Sequence, residues 1–360
     1  MNFLARLGAS ASVIASDDRV ASSPHRRNGQ FVNPGGVVMS MSAKKGLSAL
    51  KEMLTRDGRR PKQPLPTAFG EGDMRPLQKP EEFAVTWFGH SAVMLEIDGV
   101  RLLIDPMLSA SASPFPFIGK RFALREPIDV DRISDPDAIL ISHDHYDHLD
   151  YDSIRRLAPR TGHFFTPLGV GAHLRKWGVP DEKITEMDWG DETTVAVPPS
   201  DEASLSRLRI TAAPMRHFSG RWLRDRNATL WTSWVISGEA SRIFFSGDSG
   251  YGTHFREIGE RYGPFDFTMM ECGQYNESWR TIHLMPEESV QAHRDLRGDV
   301  MMPIHWGSFT LAPHHWIDPV ERALTADAQQ GVRLALPRIG ERFIPSRGIP
   351  TDAWWDVTTR

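Results

Sequence analysis

The densest group of metal-binding residue types in the chain lies in one short stretch. Three histidines and one aspartate fall between positions 143 and 148, namely His143, His145, Asp147 and His148. Imidazole nitrogens and carboxylate oxygens are ligands that zinc and similar divalent ions accept. Because residues two apart on an extended chain face the same way, His143 and His145 are placed to bind one ion. The turn after Tyr146 directs Asp147 and His148 towards a second ion, so the stretch predicts two metals.

The segments around this stretch predict how it is held. The apolar run 139–141 before it indicates a buried strand, and Asp150 or Asp152 after it is suited to begin a helix that carries Ile154 and Leu157. This order of strand, loop and helix places the histidines at the carboxyl edge of a sheet, where ligand sites commonly form. Three further residues of the same types also follow predicted strands: His217, Asp248 and His305. We expect them to converge on the same edge.

The rest of the chain predicts an α/β fold. Strands are expected at 85–88, 92–97, 100–104, 138–142, 164–166, 193–197, 207–213, 229–236, 242–245, 268–271 and 300–304. Helical patterns alternate with them, and residues 109–127 are predicted to form a long loop. These hairpins and helices suggest four layers, although composition alone does not separate that arrangement from other α/β folds.

Composition narrows the function classes. The chain has 360 residues with 42 Lys and Arg against 46 Asp and Glu, a formal charge of −4, so no basic field is available and no nucleic acid is expected as a partner. The single cysteine, Cys272, excludes an intramolecular disulfide framework and fits a reducing compartment. No apolar run reaches the ~20 residues of a membrane-spanning helix. Residues 1–16 lack the pattern of a signal peptide, so a cytoplasmic protein is expected.

The N-terminal part predicts an extension ahead of the main domain. Residues 1–43 are rich in Ser, Ala, Gly and Asn and predict a mobile tail, and residues 43–56 predict a short basic amphipathic helix. Such a helix either caps a core or lies on an anionic membrane. Prolines between 61 and 66 predict a linker. The domain boundaries are therefore expected as a flexible extension at 1–82, a catalytic domain at 83–345 and a C-terminal tail at 346–360.

Several motifs resemble those of one enzyme family. The stretches are 86–91 (TWFGHS), 142–151 (SHDHYDHLDY), 247–251 (GDSGY), 262–266 (YGPFD) and 304–309 (IHWGSF). Together they resemble the metallo-β-lactamase-fold hydrolases, and within these the N-acylphosphatidylethanolamine-hydrolysing phospholipase D group with its bacterial relatives. The resemblance covers about residues 83–343 and implies a four-layer αβ/βα sandwich.

The resemblance also implies roles for individual residues. One zinc ion would be bound by His143, His145 and His217 and a second by Asp147, His148 and His305, with Asp248 bridging the two. Asp147 and His283 would act in catalysis. Substrate contacts are expected from Arg216, Tyr251, Tyr275 and Trp306.

Three functions compete at this stage. The first is a phosphodiesterase of phospholipase D type that uses a metal-bridging hydroxide, favoured by a cluster of arginines at 216, 221, 224 and 226. The second is a lactonase or other carboxylic-ester hydrolase in which Tyr146 or Tyr251 polarises a carbonyl. The third is a non-catalytic metal-binding module. The substrate is expected to be a small molecule or a phospholipid; peripheral membrane contact and a homo-oligomer remain open.

Overall fold

The fold is carried by two sheets whose strands are joined by short helices. The structure is a computed structural model that describes residues 3–37, 51–53, 55, 57–196, 207–222 and 224–356. Its α-helices are α1 Phe3–Arg6, α2 Ala11–Ala15, α3 Asp18–Ser22, α4 Tyr151–Leu157, α5 Gly171–Lys176, α6 His254–Tyr262, α7 Pro286–Asp295 and α8 Asp318–Gln330. Single 3-10 turns span Pro34–Gly36, Val130–Arg132, Ala158–Arg160 and Asp181–Lys183.

Eleven strands of the described chain overlap predicted segments, whereas the strands at 26–27, 30–31, 184–187, 333–334 and 342–343 were not predicted. The strands are β1 Arg26–Arg27, β2 Gln30–Phe31, β3 Phe83–Trp87, β4 Val93–Ile97, β5 Val100–Ile104, β6 Ala138–Leu140, β7 His163–Pro167, β8 Ile184–Met187, β9 Glu192–Ala196, β10 Arg207–Ala213, β11 Ser233–Ser237, β12 Arg242–Phe245, β13 Phe265–Glu271, β14 Gly298–Ile304, β15 Arg333–Leu334 and β16 Arg342–Phe343. In the predicted hairpin between β4 and β5, Asp98 and Gly99 have φ of 51° and 75°. Both angles suit the tight turn that Asp-Gly favours.

Two seven-stranded sheets dominate the described part of the chain. Their strand orders are β16-β3-β4-β5-β6-β7-β8 and β15-β14-β13-β12-β11-β10-β9. Within each sheet a parallel set adjoins an antiparallel set: β5 to β8 are parallel neighbours in the first, and β12 to β15 in the second. Because the carboxyl ends of parallel strands meet at one edge, each sheet presents a row of strand ends on which polar residues can be placed.

The hydrophobic core has a layered form. One cluster of buried side chains lies between the two sheets and includes Val85, Leu95, Phe244 and Phe267. A second lies between the first sheet and helices α4 and α5, where Ile139 packs with other apolar residues. The predicted class, a four-layer αβ/βα sandwich, is confirmed. No helix among the described residues has the length and apolarity needed to cross a membrane.

The N-terminal region differs from the prediction of a flexible extension. Residues 3–37 form helices α1 to α3 and the β1–β2 hairpin, and buried Ile14, Val20 and Phe31 pack with Leu230 and Trp231 of the main domain. The prediction of a flexible extension was wrong for these residues. Most of their side chains are small or polar, and the few apolar residues that pack against the domain form no recognisable pattern in the sequence. Residues 51–53 are helical, and most of the amphipathic helix predicted at 43–56 lies outside the described residues.

The predicted linker and C-terminal tail also pack against the domain. Leu65 and Ala68 are buried, and their backbone N–H groups donate to Ala123 and Ile339 at 2.8 Å. At the other end, Trp354 stacks on Trp306 with ring centroids 5.4 Å apart. Both segments therefore contribute to the core of the domain.

The packing of the N-terminal segment can be tested through Phe31. Phe31→Ala removes a fully buried ring, so we expect the free energy of unfolding to fall by about 3 kcal/mol. Val13→Ala, in the same segment but 56% exposed, should change it by less than ~0.5 kcal/mol. Urea denaturation measures both. Equal, negligible effects would mean that the segment does not pack as described.

Candidate metal centre

The predicted ligands meet where strand ends of the two sheets face each other. β6 leads into the loop that carries His143, His145, Asp147 and His148. From the second sheet, β10 leads to His217, β12 to Asp248 and β14 directly to His305. The structure thus brings together all seven residues that the sequence analysis proposed as ligands.

The first ligand group contains three histidines. His143 Nε2 and His217 Nε2 lie 3.0 and 3.1 Å from His145 Nδ1. These three nitrogens are mutually close enough to hold one metal ion. Burial lowers the pKa of all three histidines, which for His143 and His217 falls well below the usual value. Neutral imidazole is the form that binds a metal.

The second ligand group is centred on Asp147. Its Oδ2 lies 3.2 Å from His305 Nε2 and 3.7 Å from His148 Nε2. His90 Nε2 lies 3.0 Å from the same oxygen, although the sequence analysis gave His90 no role. The signal was present, because His90 follows β3 in the same way that the other ligands follow strands.

Asp248 lies at the junction of the two groups. Its Oδ2 is 3.1 Å from His305 Nε2 and 3.2 Å from His148 Nε2. It is also 3.9 Å from Nε2 of both His143 and His217. One carboxylate oxygen is therefore within reach of nitrogens from both groups, which is the position a bridging ligand requires.

The chemistry of these donors fits divalent metal ions. Among the described residues, His148 Nε2 and Asp248 Oδ1 are buried polar atoms without a hydrogen-bond partner. Burial opposes a charge on His148, but the carboxylates of Asp248, Asp147 and Asp105 outweigh it and raise its pKa well above the usual value. A field that holds a proton this strongly also attracts a metal cation.

Carboxylates behind the ligands fix their orientation. Asp105 accepts from the Ser142 N–H at 2.7 Å, and its Oδ2 lies 2.7 Å from His148 Nδ1. Holding Nδ1 turns His148 Nε2 towards the centre. Asp105 and His305 have φ of 41° and 66°, values that cost about 1–3 kcal/mol each for residues other than glycine. The surrounding contacts must offset that strain.

Glu271 orients His283 and lies against His305, as Asp105 orients His148. Glu271 is fully buried, ends β13 and accepts the Ser249 N–H at 2.6 Å with Oε2. Its Oε1 is hydrogen-bonded to His283 Nδ1 and lies 3.3 Å from His305 Nδ1. With Nδ1 bonded, Nε2 is the free ring nitrogen of His283. Glu271 was missed as a site residue, although it too stands at a strand end.

A cavity of about 250 Å³ opens onto the ligands. Asp147, Asp248 and His305 lie at its polar end together with His283, and its remaining wall is mainly apolar. The apolar lining residues are Phe218, Trp279, Ile282 and Leu311. Larger cavities, such as one of about 430 Å³ beside Phe88, lie away from the ligand groups. The centre therefore faces a small, largely apolar chamber.

The predicted substrate contacts lie elsewhere. Arg216 donates to Tyr251 O at 2.8 Å, and the Tyr251 hydroxyl donates to Asp295. The Tyr275 hydroxyl donates to Asp318 at 2.5 Å, while buried Trp306 donates to Pro303 O at 3.0 Å. Among the described residues, none of the four predicted contacts lines the chamber.

Arg221 of the arginine cluster also bonds within the protein. Arg221 is buried; it donates to Asp144 O at 2.6 Å and Leu149 O at 2.9 Å, and its guanidinium packs 4.0 Å from the Tyr146 ring. The Tyr146 hydroxyl donates to Arg221 O at 2.8 Å. These contacts hold the loop that carries His143 to His148. They leave neither Arg221 nor the Tyr146 hydroxyl for a substrate.

Comparison with known proteins agrees with the fold and with a metal-dependent hydrolase. A family model described as Beta-lactamase superfamily domain matches residues 100–306. An uncharacterized protein of Mycobacterium tuberculosis is 41% identical over 360 residues, covering 98% of this chain and 92% of its own. An N-acyl-phosphatidylethanolamine-hydrolyzing phospholipase D 1 of Caenorhabditis elegans is 30% identical over 246 residues, covering 66% and 67%.

A solved structure shows the same fold. A metallo hydrolase from the hyperthermophilic archaeon Ignicoccus hospitalis superposes with a TM-score of 0.54 at 22% identity, covering 73% of this chain and 98% of its own. Fold and ligand set together define a metal-dependent hydrolase. The chain belongs to the Beta-lactamase superfamily.

The position of Asp248 can be tested by a nearly isosteric change. Asp248→Asn removes the negative charge shared by the two ligand groups, so we expect the purified variant to lose at least one metal ion per chain. Asp266→Asn changes an exposed aspartate and should retain the parent content. Elemental analysis after metal reconstitution measures both. Unchanged metal content in Asp248→Asn would show that Asp248 is not a ligand.

Proposed function

We propose that the protein is a dinuclear, zinc-dependent phosphodiesterase of phospholipase D type. The observation that carries the proposal is the junction at Asp248, where one oxygen lies within 3.9 Å of nitrogens from two separate ligand groups. Nitrogen donors dominate both groups, and zinc accepts them readily. When bound, such ions act as Lewis acids and lower the pKa of coordinated water, which would supply a nucleophile for phosphodiester hydrolysis.

The protein's own residues suit an anionic, amphiphilic substrate. His283 lines the chamber with Nε2 free, and Glu271 holds its other nitrogen. Because Nδ1 donates to the Glu271 carboxylate, Nε2 can donate only when the ring carries both protons; we assign the doubly protonated ring as a hydrogen-bond donor to a phosphoryl oxygen, where charge increases in the transition state. Phe218, Ile282 and Leu311 form an apolar wall suited to an acyl or alkyl group, and they also exclude water. The relative from Caenorhabditis elegans, named for hydrolysis of a phospholipid, supports this substrate class.

The arginines do not support the proposal as the sequence suggested. Arg216 and Arg221 bond to backbone carbonyl groups of the protein. The preference for a diester therefore rests on His283, the metal-centre charge and the family relationship. The alternative of a lactonase loses its proposed carbonyl-polarising groups, because the Tyr146 and Tyr251 hydroxyls are both bonded within the protein.

Substrate class can be tested with His283→Ala. We expect the parent to hydrolyse a phosphodiester faster than a lactone, and the variant to lose about 10²–10³-fold in kcat on the diester because a transition-state donor is gone. His163→Ala removes a partly exposed histidine bonded to Thr185 and should have little effect. Steady-state kinetics on both substrates provide the measurement. A parent preference for lactones would support the alternative instead.

An exposed group of apolar residues supports contact with a lipid surface. Phe3 of α1 stacks on Phe115 at 4.9 Å and contacts Trp222 at 5.9 Å, and Phe115 contacts Phe117 at 5.8 Å. Phe117 is 69% exposed and Trp222 49%. We call these residues, with exposed Leu4 and Ile118, the aromatic patch. Trp222 follows Arg221, which donates to the backbone of the loop that carries the ligands.

Two cations lie within two residues of the aromatic patch in the sequence, and the Asp225 carboxylate accepts the Trp222 N–H at 2.8 Å. Lys120 and Arg224 are exposed, and neither forms an ion pair within the described part of the chain. Aromatic and aliphatic side chains beside unpaired cations suit a bilayer with anionic headgroups. We propose that the aromatic patch binds such a surface and presents the chamber to lipid.

Vesicle binding tests the aromatic patch separately from catalysis. The double substitution Phe117→Ser and Trp222→Ser should reduce sedimentation with anionic phospholipid vesicles by about tenfold or more, because two interfacial aromatic anchors are lost. Met74→Ser alters another exposed apolar residue, at 58% exposure, and should bind as the parent does. If parent and double variant sediment equally, the patch is not a membrane surface.

A further inference from the structure

His217 reaches the metal centre from a loop and not from a strand. Strand β10 ends at Ala213, four residues earlier, so no sheet hydrogen bonds fix the backbone at His217. Instead, both peptide groups of His217 bond to one side chain, that of Asn33. The His217 N–H donates to Asn33 Oδ1 at 2.9 Å, and Asn33 Nδ2 donates to His217 O at 2.9 Å. The amide acts as a neighbouring strand residue would.

The amide of Asn33 is itself held on both sides. Trp231 Nε1 donates to Oδ1 at 3.1 Å, and Nδ2 donates to Val37 O at 3.1 Å. Two donors and two acceptor contacts are thus used, which fills the amide's usual hydrogen-bonding capacity. Asn33 is only 9% exposed, and Phe31 beside it is fully buried. The amide is therefore fixed in orientation, and its two hydrogen bonds in turn fix the backbone of His217.

The imidazole of His217 depends on this backbone position. Its Nδ1 lies 2.9 Å from Ile282 O, which leaves Nε2 facing His145 at 3.1 Å. A ligand atom must be held within about 0.5 Å of its productive position. With one ring nitrogen bonded to Ile282 O and the backbone bonded to Asn33, the ring has little freedom. Loss of the amide would free both peptide groups of His217, although the neighbouring Arg216 N–H and carbonyl stay bonded to Ser249 and Gly250. The ring would then be held by the contact of Nδ1 with Ile282 O.

A second contact joins the N-terminal segment to the other ligand loop. Arg221 donates through its second terminal nitrogen to Arg6 O at 2.8 Å, and through its first to Asp144 O at 2.6 Å. Asp144 stands between His143 and His145. Residues 3–37 lie outside the 100–306 range matched by the family model, yet they contact both loops that supply the three-histidine group.

We infer that residues 3–37 brace the metal centre, and that Asn33 is a positioning residue that fixes His217 for metal binding. This inference rests on the metal centre and not on the substrate assignment. Substitution of groups that orient metal ligands commonly costs 10–100-fold in metal affinity. Asn33→Ala should therefore weaken binding at the three-histidine group by about tenfold or more.

The test compares three variants of the full chain. Asn33→Ala removes both hydrogen bonds between the Asn33 amide and the backbone of His217. Asn33→Asp keeps an acceptor for the His217 N–H and Trp231 but cannot donate to His217 O. Gln30→Ala is the matched control, because Gln30 lies in the same segment and its amide donates to Arg226 O at 3.0 Å. Zinc affinity is measured by competition with a chelator, and the geometry of the bound ion by the visible spectrum of the cobalt-substituted protein.

We expect weaker zinc binding and a changed cobalt spectrum for Asn33→Ala, an intermediate result for Asn33→Asp, and parent values for Gln30→Ala. A merely structural role would lower thermal stability without changing the cobalt spectrum. Zinc affinity and a cobalt spectrum like those of the parent in Asn33→Ala would overturn the inference. If Asn33→Ala does not fold, zinc affinity and a cobalt spectrum like those of the parent in Asn33→Asp would overturn it. Absence of phosphodiester turnover in the parent would refute the proposed function and leave this inference standing.

Discussion

The centre of this protein depends on one buried carboxylate surrounded by histidines. Asp248 is 1% exposed, and removing a charge from water costs several kcal/mol unless other groups compensate. Burial alone would raise its pKa, but His148 and His305 outweigh that effect and hold the pKa well below the usual value. The carboxylate is thus kept ionised between two groups of nitrogen ligands. Bound divalent metal would satisfy both the charge and the donors.

The need to hold nitrogen ligands around the buried Asp248 carboxylate explains the many contacts behind the ligands. Asp105 orients His148, Glu271 orients His283 and lies against His305, and the backbone of His90 accepts from the His305 N–H at 2.9 Å. The carboxylate contacts each hold Nδ1 of a ring, and the backbone bond holds the main chain at His305. The left-handed backbone at Asp105 and His305 shows that this order is maintained against conformational strain. A rigid frame keeps the donors apart at metal-binding distances.

The same demand for satisfied polar groups explains why the predicted substrate contacts are not in the chamber. Arg216, Tyr275 and Trp306 are partly or fully removed from solvent. Arg216 Nη1, the Tyr275 hydroxyl and Trp306 Nε1 each donate to another group of the protein. Sequence alone identifies such residues as suited to a substrate, but it does not show whether a carbonyl or carboxylate of the protein is closer. In this protein a carbonyl or carboxylate of the chain accepts these hydrogen bonds. His283 and a wall of apolar side chains then remain to contact a substrate in the chamber.

The sequence by itself determined the fold class and the ligand types. Alternating strands and helices predicted the layered α/β fold, and the histidines and aspartates after strands predicted a metal centre, because these signals depend on local periodicity and on short spacings along the chain. Only the tertiary structure decided which residues lie behind the ligands. His90, Asp105 and Glu271 are distant in sequence from several of the side chains that they orient. The role of Asn33 depends on a contact across 184 positions with His217. Such pairings arise from the packing of whole sheets and of the N-terminal segment, and no local pattern specifies them.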